Sequence, residues 1–491
     1  MLTGDEVGQH NSRDSCWVII RGNAYDVTNF LDKHPGGPRS ILRWAGKDAT
    51  EEYEPIHPAG TIEKHLPIEC HLGLVNPSTV SAPAQNTSAS STQDPAKPPP
   101  LSLCLNLHDI EHAASKTVSK RAWAYFHSAA DSLASERTNA ADWAKISFRP
   151  RILRNVARVS TRRRILGQAA SLPVMIAPAA LARLAHPDGE LCLARGAARY
   201  NVPYCASAYS SVAHGELAAC VAADGQGRGG KLFFQMYVPR ARDEAAAMIA
   251  GARDNGCAAL VVTVDTPVVG RREEDERHSL EAELESGVYV PPAYAQRDMA
   301  DAAPDPEGSE PRGPHSAALD WEELKWIRKQ WGTQSGPLAL KGIQTAEDAK
   351  LAMEAGVDAI YLSNHGGRQA DHAPSAARTM LEIRKFCPEV LERMEVVLDG
   401  GVRRGADVLK AVALGASGVA LGRPFMYALG AYGTEGVFRA IEILRDEIEN
   451  QMRLIGVTSL DQLNLESINT TILEQELPRS LSAFPRVSSK L

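Results

Sequence analysis

The sequence predicts an α/β protein in which a (β/α)8 TIM barrel follows a small α+β module. The chain has 491 residues, well beyond the roughly 250 of a typical barrel. Its composition changes abruptly near residue 76, and beyond that point eight short apolar runs alternate with amphipathic stretches. A doubly wound sheet is the alternative, but no GxGxxG turn follows the first apolar run.

The composition is that of an ordinary globular protein. Hydrophobic residues make up 44% of the chain and charged residues 23%, which excludes wholesale disorder. The net charge of −7 gives no reason to expect a nucleic-acid or anionic-membrane surface. The uncharged apolar stretch at 167–182 is broken by Pro173 and Pro178, so we expect no membrane-spanning helix. Eight cysteines without a CxxC pair indicate scattered thiols in a reducing compartment.

Residues 77–100 divide the chain into two globular parts. They are rich in Pro, Ser, Thr and Ala and lack the apolar side chains that would offset the entropy of ordering. This composition predicts a flexible linker, stiffer at its proline-rich end. We therefore assign residues 1–76 to the first module, 101–480 to the barrel and 481–491 to a C-terminal tail.

The predicted barrel strands are short apolar runs, and amphipathic stretches such as 242–255, 345–355 and 405–414 predict helices between them. The runs span residues 174–178, 203–207, 232–237, 259–265, 337–341, 359–363, 396–400 and 418–422. The connection at 270–314 carries charged and then proline-rich sequence. It is too long for a plain βα loop and predicts an active-site lid or a mobile insertion.

Two histidines stand out in the first module. His34 opens the turn sequence His34-Pro35-Gly36-Gly37, and His57 follows further along. Two histidines on opposing loops could clamp a flat cofactor from both sides, although a lone HPGG is more often a simple turn. Zinc bound with Cys70 and His71 is an alternative, but the ligand spacing of a zinc finger is absent.

At these residues the first module resembles a cytochrome b5-type haem domain. The match rests on Cys16-Trp17-Val18, Tyr25-Asp26-Val27, His34-Pro35-Gly36-Gly37, Ala45-Gly46-Lys47-Asp48 and His57. The resemblance implies that His34 and His57 are both axial ligands of a haem b iron. Because both axial positions are then filled, the iron would carry electrons and not bind oxygen.

Polar side chains follow strands three to eight of the predicted barrel, where barrel enzymes keep their chemistry. They are Gln235, Tyr237, Thr263, Asp265, Lys341, Ser363, His365, Arg368, Asp399, Arg403 and Arg423, with Arg272 a few residues beyond strand four. One such residue is usually a surface residue. Functional groups at so many consecutive strand ends instead indicate an active site.

The types of residue at these strand ends predict chemistry on anions. Gly-rich loops with Arg403 and Arg423 after the last two strands mark the usual phosphate position of a barrel. Asp265 beside His365 would orient the imidazole as a general base. Arg368 could hold a carboxylate through its planar fork, and Lys341 could stabilise an anionic ring.

These motifs resemble the FMN-dependent L-2-hydroxy-acid oxidase/dehydrogenase family, over residues from about 107 to about 460. The most specific are Ser363-Asn364-His365-Gly366-Gly367-Arg368-Gln369 and Asp399-Gly400-Gly401-Val402-Arg403-Arg404-Gly405. The resemblance implies FMN contacts from Pro178, Ala179, Ala180, Ser207, Gln235, Thr263, Lys341, Ser363, Asp399, Gly401, Arg403, Gly422 and Arg423.

The resemblance also implies roles at the substrate. Arg368 and Tyr125 would bind the substrate carboxylate, and Tyr237 would contact the hydroxyl. His365 would be the base supported by Asp265, while Lys341 and Arg272 would supply positive charge. These seven residues are the expected catalytic set.

The two modules together resemble the haem-linked members of the family, which oxidise L-lactate. We therefore expect oxidation of an L-2-hydroxy acid, with electrons passing through FMN and haem to cytochrome c or another acceptor. The segment Ser207-Ala208-Tyr209-Ser210 is like that of lactate-oxidising members, and together with the small Ala180 it favours lactate over bulky acids. The alternatives are an oxidase that reduces oxygen to hydrogen peroxide, an FMN-dependent isomerase, and a non-catalytic haem carrier or sensor.

The sequence ends Ser489-Lys490-Leu491, a peroxisomal import signal. No transit-peptide or secretory pattern is present at the start, so we expect a peroxisomal protein, with cytoplasm or mitochondrial intermembrane space as alternatives. Cytochrome c is absent from peroxisomes, so this signal leaves the final acceptor open. The family resemblance further implies a homotetramer built through the barrels.

Overall fold

The computed structural model describes residues 1–34, 36–80, 97–223, 230–285 and 315–481. The first module contains a three-stranded antiparallel sheet with four short helices around it. Its strands are β1 (Trp17–Ile20), β2 (Asn23–Asp26) and β3 (His71–Leu74), and its helices are α1 (Gly4–Gly8), α2 (Pro38–Leu42), α3 (Thr50–Tyr53) and α4 (Thr61–His65). This is the α+β organisation that the sequence predicts.

Alternating apolar residues give the first module its core. Val18 and Ile20 point to one side of β1 and pack with Leu31, while Ile19 points to the other side and packs with Val7 of α1. The module continues slightly past its predicted boundary, because Thr79 accepts a hydrogen bond from the Gly4 N–H at 2.8 Å. The rest of the predicted linker, up to residue 96, lies outside the described residues.

The second module is a closed barrel of eight parallel strands, as predicted. They are β7 (Val174–Ile176), β8 (Tyr204–Ser207), β9 (Leu232–Tyr237), β10 (Leu260–Thr263), β11 (Leu338–Ile343), β12 (Ala359–Leu362), β13 (Glu395–Leu398) and β14 (Gly418–Leu421). Two short antiparallel pairs of this module lie outside the barrel: β4 (Ser147–Phe148) pairs with β15 (Ile468–Asn469), and β5 (Arg163–Ile165) pairs with β6 (Gln168–Ala170).

Helices surround the barrel. They are α5 (Leu107–Thr117), α6 (Lys120–His127), α7 (Ala134–Ala144), α8 (Glu190–Tyr200), α9 (His214–Ala223), α10 (Arg242–Asp254), α11 (Glu273–Glu285), α12 (Glu323–Trp331), α13 (Ala346–Glu354), α14 (Ala376–Phe386), α15 (Glu389–Arg393), α16 (Gly405–Leu414), α17 (Arg423–Ile455) and α18 (Thr471–Glu474). None of the helices that the structure describes is long and apolar enough to cross a membrane.

Each of the eight predicted runs overlaps one barrel strand, and most of the strands end one or more residues earlier than predicted. β13 also begins one residue earlier, at Glu395. β11 differs and continues to Ile343 through a bulge next to Gly342. At Gly342 φ is +111°, and a Cβ there would lie 2.7 Å from the Cβ of Asp265. The strand therefore needs glycine at this point to pass Asp265, which follows the preceding strand, β10.

Side chains such as Phe233, Val261 and Tyr361 fill the barrel interior, and the β5–β6 hairpin adds Ile165 beneath them. One end of the barrel is thereby packed shut, so the opposite end, where the strands terminate, is left for a site. The predicted insertion begins with α11, and its residues 286–314 lie outside the described residues. The prediction of a lid there stays a prediction.

Candidate active site

Strands β9, β10 and β12 bring three predicted catalytic side chains together at the open end of the barrel. The His365 Nδ1 atom lies 2.9 Å from Asp265 Oδ1, and the Tyr237 hydroxyl lies 3.3 Å from His365 Nε2. The Asp265 side chain is only 1% exposed. Asp265 therefore holds one ring nitrogen, while the other faces the space beside Tyr237.

The backbone of the His365 turn is unusual and is held in place by neighbouring groups. At His365 φ is +60°, a left-handed conformation that costs energy for any residue with a side chain. The His365 N–H donates to Ser363 Oγ at 2.9 Å, and the Gly367 N–H donates to Asn364 Oδ1 at 3.0 Å. The Asn364 amide in turn pairs with the Asn139 amide.

The electrostatics of the pair fit a neutral base beside an ionised acid. Burial lowers the pKa of His365 below its usual value, the charge of Lys341 lowers it further, and Asp265 only partly opposes the shift. Burial alone would raise the pKa of Asp265, but the charges of His365 and Lys341 and the bond from His365 outweigh it and lower the pKa to about 2. At neutral pH the imidazole can therefore accept a proton, and Asp265 stabilises the cation that forms.

Lys341 is a buried cation at the end of β11, only 4% exposed. Its Nζ atom donates to Ser363 Oγ at 3.2 Å, and Ser363 Oγ donates to Asp399 Oδ1 at 2.7 Å. Tyr361 donates to the other carboxylate oxygen at 2.9 Å. Because a buried charge needs a counter-charge or several hydrogen bonds, Lys341 fits a site that receives an anionic ring.

Neutral hydrogen-bonding groups continue the floor of the site from Lys341. Thr263 is its register partner on β10, and Thr263 Oγ1 accepts a bond from Gln235 Nε2 at 2.9 Å. Gln235 is in turn the register partner of Ser207 on β8. Ser207, Gln235 and Thr263 are buried, so they present fixed polar groups of the kind that hold a flavin ring and its ribityl chain.

Two half-buried arginines, Arg368 and Arg423, meet at the loop that follows α6. Arg368 donates to the Ser128 carbonyl at 2.7 Å, and Arg423 donates to the same carbonyl at 3.0 Å. Burial lowers the pKa of Arg368 to about 9, with added repulsion from Arg272 and Arg423. The guanidinium groups stay charged at neutral pH, and an anion placed beside them would relieve that repulsion.

Arg368 also contacts Tyr125, and two further arginines, Arg272 and Arg403, differ in whether they have a partner. The guanidinium carbon of Arg368 lies 5.5 Å from the centre of the Tyr125 ring, which agrees with a shared carboxylate site. The Arg272 Nε atom is buried without a hydrogen-bond partner among the described residues, as expected for a group that awaits a ligand. Arg403 pairs with Glu111 at 3.3 Å, so part of its charge is already neutralised.

The Gly401 loop at the predicted phosphate end packs closely against α7. At Gly401 φ is +72°, and a Cβ there would lie 2.2 Å from the Asn139 carbonyl carbon. Gly422 immediately precedes α17, whose first residue is Arg423. The N-terminus of a helix and a cation therefore coincide at this point. Pro178, Ala179 and Ala180 follow β7 on the same rim of the barrel.

Sequence reasoning missed two residues that hold the loops of the site. Gln369 Nε2 donates to the carbonyls of Asp265 and Val268, both at 2.9 Å, and Gln369 Oε1 accepts from the Gly270 N–H at 3.0 Å. Glu190 is fully buried and accepts bonds from the Ala182 and Ser211 N–H groups. No sequence pattern marked Glu190, and Gln369 was marked only as the last residue of its motif.

A cavity of about 330 Å³ adjoins the catalytic pair on the far side of Asp265. Its walls include Tyr237, Asp265, His315, Trp321 and Gln344. The Asp265 Oδ2 atom is buried without a hydrogen-bond partner among the described residues. A buried carboxylate oxygen needs hydrogen bonds, so water in this cavity is the natural donor to it.

In the first module the predicted pair of histidines does meet. The ring centres of His34 and His57 lie 6.0 Å apart, which is close to the separation that two metal–nitrogen bonds of about 2.0 Å and two ring radii require. The Nδ1 atoms lie 3.3 Å from the Gly37 carbonyl and 3.0 Å from the Tyr53 carbonyl. The Nε2 atoms are left for iron, and burial lowers the pKa of both rings, which keeps them neutral.

The zinc alternative is not supported in the described part of the chain. The side chain of His71 bonds to the Leu66 carbonyl, and its ring contacts Tyr25. The described residues place one group of three potential ligands together, and it is His186, Asp188 and Cys192 in the barrel. There Asp188 is paired with Arg195 at 2.5 Å.

Comparison with known proteins agrees with both modules. Residues 114–470 match the family described as FMN-dependent dehydrogenase, and residues 3–76 match the cytochrome b5-like heme/steroid binding domain. The L-lactate dehydrogenase (cytochrome) of Wickerhamomyces anomalus is 38% identical over 477 residues, which cover 96% of this chain and 80% of that protein. The match therefore spans the haem module, the linker and the barrel in one alignment.

Two further similarities bear on the barrel. A solved structure of flavocytochrome b2 with an arginine-to-lysine substitution superposes with a TM-score of 0.68 at 34% identity, covering 79% of this chain and 92% of that chain. The peroxisomal (S)-2-hydroxyacid oxidase GLO3 of Arabidopsis thaliana is 35% identical over 372 residues, which cover 74% of this chain and 96% of that protein. The oxidase corresponds in length to the barrel alone.

Proposed function

The chain belongs to the FMN-dependent dehydrogenase family and carries a cytochrome b5-like haem domain, and from this premise we propose that it oxidises L-lactate to pyruvate. The observation that carries the proposal is the His365–Asp265 pair, with Tyr237 at the free ring nitrogen and the buried Lys341 on the same rim. A non-catalytic haem carrier would have no need of this arrangement.

The residues of the chain divide the work on the substrate. Arg368, beside Tyr125, binds the carboxylate of the acid and so fixes the carbon that bears the hydroxyl. Tyr237 contacts the hydroxyl, and His365 Nε2 accepts a proton from the substrate. Asp265 holds the ring through Nδ1 and stabilises the imidazolium that results.

FMN, when bound, takes the two electrons that leave the substrate. Its ring would lie against Ser207, Gln235 and Thr263, and Lys341 would stabilise negative charge on it. Arg423 and the N-terminus of α17 would hold the phosphate. The buried Lys341 and the Arg272 Nε atom, which has no hydrogen-bond partner among the described residues, fit this anionic group.

A haem b held by His34 and His57 would take the electrons next, one at a time, and pass them to an external acceptor. We propose a one-electron acceptor such as cytochrome c, in keeping with the name of the Wickerhamomyces relative. The peroxisomal import proposed below would require another one-electron acceptor in the cell. Oxygen is the competing acceptor, because the similar Arabidopsis protein is an oxidase. The two differ in whether the haem is reduced during turnover.

Rapid-mixing absorbance with L-lactate, glycolate and L-mandelate tests the proposal. We expect L-lactate to reduce the flavin fastest and the haem to follow, with cytochrome c reduced during turnover and little hydrogen peroxide formed. Haem that stays oxidised while oxygen is consumed would establish the oxidase instead. A flavin that none of these acids reduces would overturn the proposal altogether.

We also propose that the chain is imported into peroxisomes through Ser489-Lys490-Leu491. The name of the Arabidopsis relative supports this location, and the tail itself lies outside the described residues. A fluorescent protein fused upstream of residues 481–491 should enter peroxisomes. The same fusion with Leu491 deleted should stay in the cytoplasm.

Finally, we propose that the barrels assemble into a homotetramer. Ile152 is 82% exposed and its neighbour Leu153 is fully exposed, and an assembly of copies would cover such apolar side chains. Light scattering on the eluting protein gives the mass directly. A mass near four chains supports the proposal, and the mass of one chain would contradict it.

A further inference from the structure

An ion pair connects the two modules in this structure. Arg121 of α6, in the barrel module, contacts the Glu52 carboxylate of α3, in the haem module. Arg43 of the haem module lies 3.4 Å from the same carboxylate. Arg121 is 31% exposed and Glu52 is 28% exposed, so water still reaches the pair.

Glu52 lies next to the machinery that would hold the haem. The following residue, Tyr53, accepts a hydrogen bond from His57 Nδ1 at 3.0 Å. The Tyr53 ring also stacks on the His57 ring at 4.2 Å with an angle of 11° between their planes. Glu52 is therefore the neighbour in sequence of Tyr53, which orients the predicted iron ligand His57.

Arg121 lies on the helix that also carries Tyr125 of the predicted substrate site. Tyr125 is four residues further along α6, so the two side chains share one face of the helix. Tyr125 carries the Arg368 guanidinium over its ring. The ion pair therefore joins the helix that borders the substrate site to the helix that precedes His57.

We propose that the Arg121–Glu52 ion pair docks the haem module on the barrel and thereby sets the rate of electron transfer from flavin to haem. The inference rests on the proposed function. Each transfer oxidises the reduced flavin by one electron and converts ferric haem to ferrous haem, and two transfers return the flavin to its oxidised state. The external acceptor removes each electron from the haem.

The Arg121–Glu52 ion pair is weak enough for the haem module to dock on the barrel and dissociate again. Half-exposed ion pairs are individually weak and are screened by salt. The tether between the modules compensates, because it makes docking an intramolecular event at high effective concentration. Arg121 and Glu52 are positioning residues in this scheme, since neither touches a reacting atom.

Zero-length crosslinking tests the contact itself. In the full-length holoenzyme, Arg121→Lys keeps the positive charge and supplies an amine that carbodiimide couples to Glu52 as an amide. We expect a crosslinked peptide joining the segments around residues 52 and 121, above the wild-type background from Lys120. Its absence, or equal yield in R121K/E52Q, would overturn the docking contact.

Electron transfer tests the consequence. Photochemical reduction of the flavin without substrate, followed by haem absorbance, measures the intramolecular step directly. At low ionic strength we expect Arg121→Glu to slow haem reduction about tenfold, because like charges now face each other, and salt should shrink the difference. Arg393→Glu in α15, an exposed arginine outside the helix that carries Arg121, is the matched control. Equal rates in R121E and R393E would overturn the proposal.

The same variants separate this inference from the proposed function. L-lactate should reduce the flavin of R121E at the wild-type rate within about twofold, because Arg121 does not contact the substrate site. Wild-type flavin that L-lactate does not reduce would contradict the proposed function alone. The photochemical and crosslinking results would still decide whether the docking contact exists.

Discussion

The side-chain amide of Gln369 donates to the backbone carbonyl of Asp265 at 2.9 Å. The bond joins the loop after β12, which carries His365, to the loop after β10, which carries Asp265. Gln369 binds the same loop at Val268 and Gly270 as well. The distance between His365 and Asp265 therefore depends on Gln369, a residue with no catalytic role of its own.

Replacement of Gln369 by Ala should therefore slow the chemistry more than it weakens substrate binding. Three backbone groups would lose a partner, which costs about 1–3 kcal/mol of stability. A small displacement of the catalytic pair can cost up to about 10²-fold in rate. We expect a lower maximal rate of flavin reduction with a nearly unchanged Kd for substrate. Gln475→Ala at the exposed end of α18 is the control, and equal rates in both variants would contradict this role.

Replacement of His365 by Ala should remove the base and leave the cofactors bound. General bases contribute about 10²- to 10⁴-fold, so stopped-flow reduction of the flavin by L-lactate should fall by that range. The flavin and haem absorbance spectra should be unchanged, because His365 is not among the expected ligands of either group. Reduction at near-normal rates would show that another residue takes the proton.

The pH dependence of flavin reduction should move in opposite directions in two variants. Asp265 raises the pKa of His365, and Lys341 lowers it. Since the base must be neutral, kcat/KM should fall as pH drops through the pKa of His365 in the free enzyme. Asp265→Asn should shift this acid limb to lower pH, and Lys341→Met should shift it to higher pH. Both variants will be slower, so the limb position is the measurement, and shifts in the same direction would contradict the assignment.

Replacement of His34 by Ala should abolish haem binding without stopping flavin reduction. Only one iron ligand would remain, and the flavin site lies in the other module. The haem-to-flavin absorbance ratio of purified protein measures the loss, and L-lactate should still bleach the flavin. His65→Ala, an exposed histidine of the same module, should keep its haem. A haem content in H34A equal to that of H65A would exclude His34 as a ligand.

The sequence predicted the barrel well because each strand is a continuous buried run. Leu260–Thr263 and Ala359–Leu362 are apolar nearly throughout and buried on both faces. The β11 bulge was not predicted, since it depends on how Gly342 passes Asp265, a contact between two different strands. Short-range pattern carries no information on such a contact.

The candidate site divides in the same way. The pairing of His365 with Asp265 was predicted from residue type and strand position. The bonds of Gln369 and Glu190 were not, because a side chain that binds backbone groups of a distant loop leaves no periodic signal. The shared carbonyl of Ser128, which holds Arg368 and Arg423 together, likewise follows only from the folded chain.

The left-handed backbone at His365 restricts how this position can change over evolution. Asparagine, aspartate and glycine tolerate that conformation better than other residues, whereas valine or isoleucine would be strongly strained there. The backbone conformation therefore limits which residues can replace His365, even where the base is no longer needed. Lineages that lose the activity should retain small or polar residues at 365 for as long as the turn around it survives.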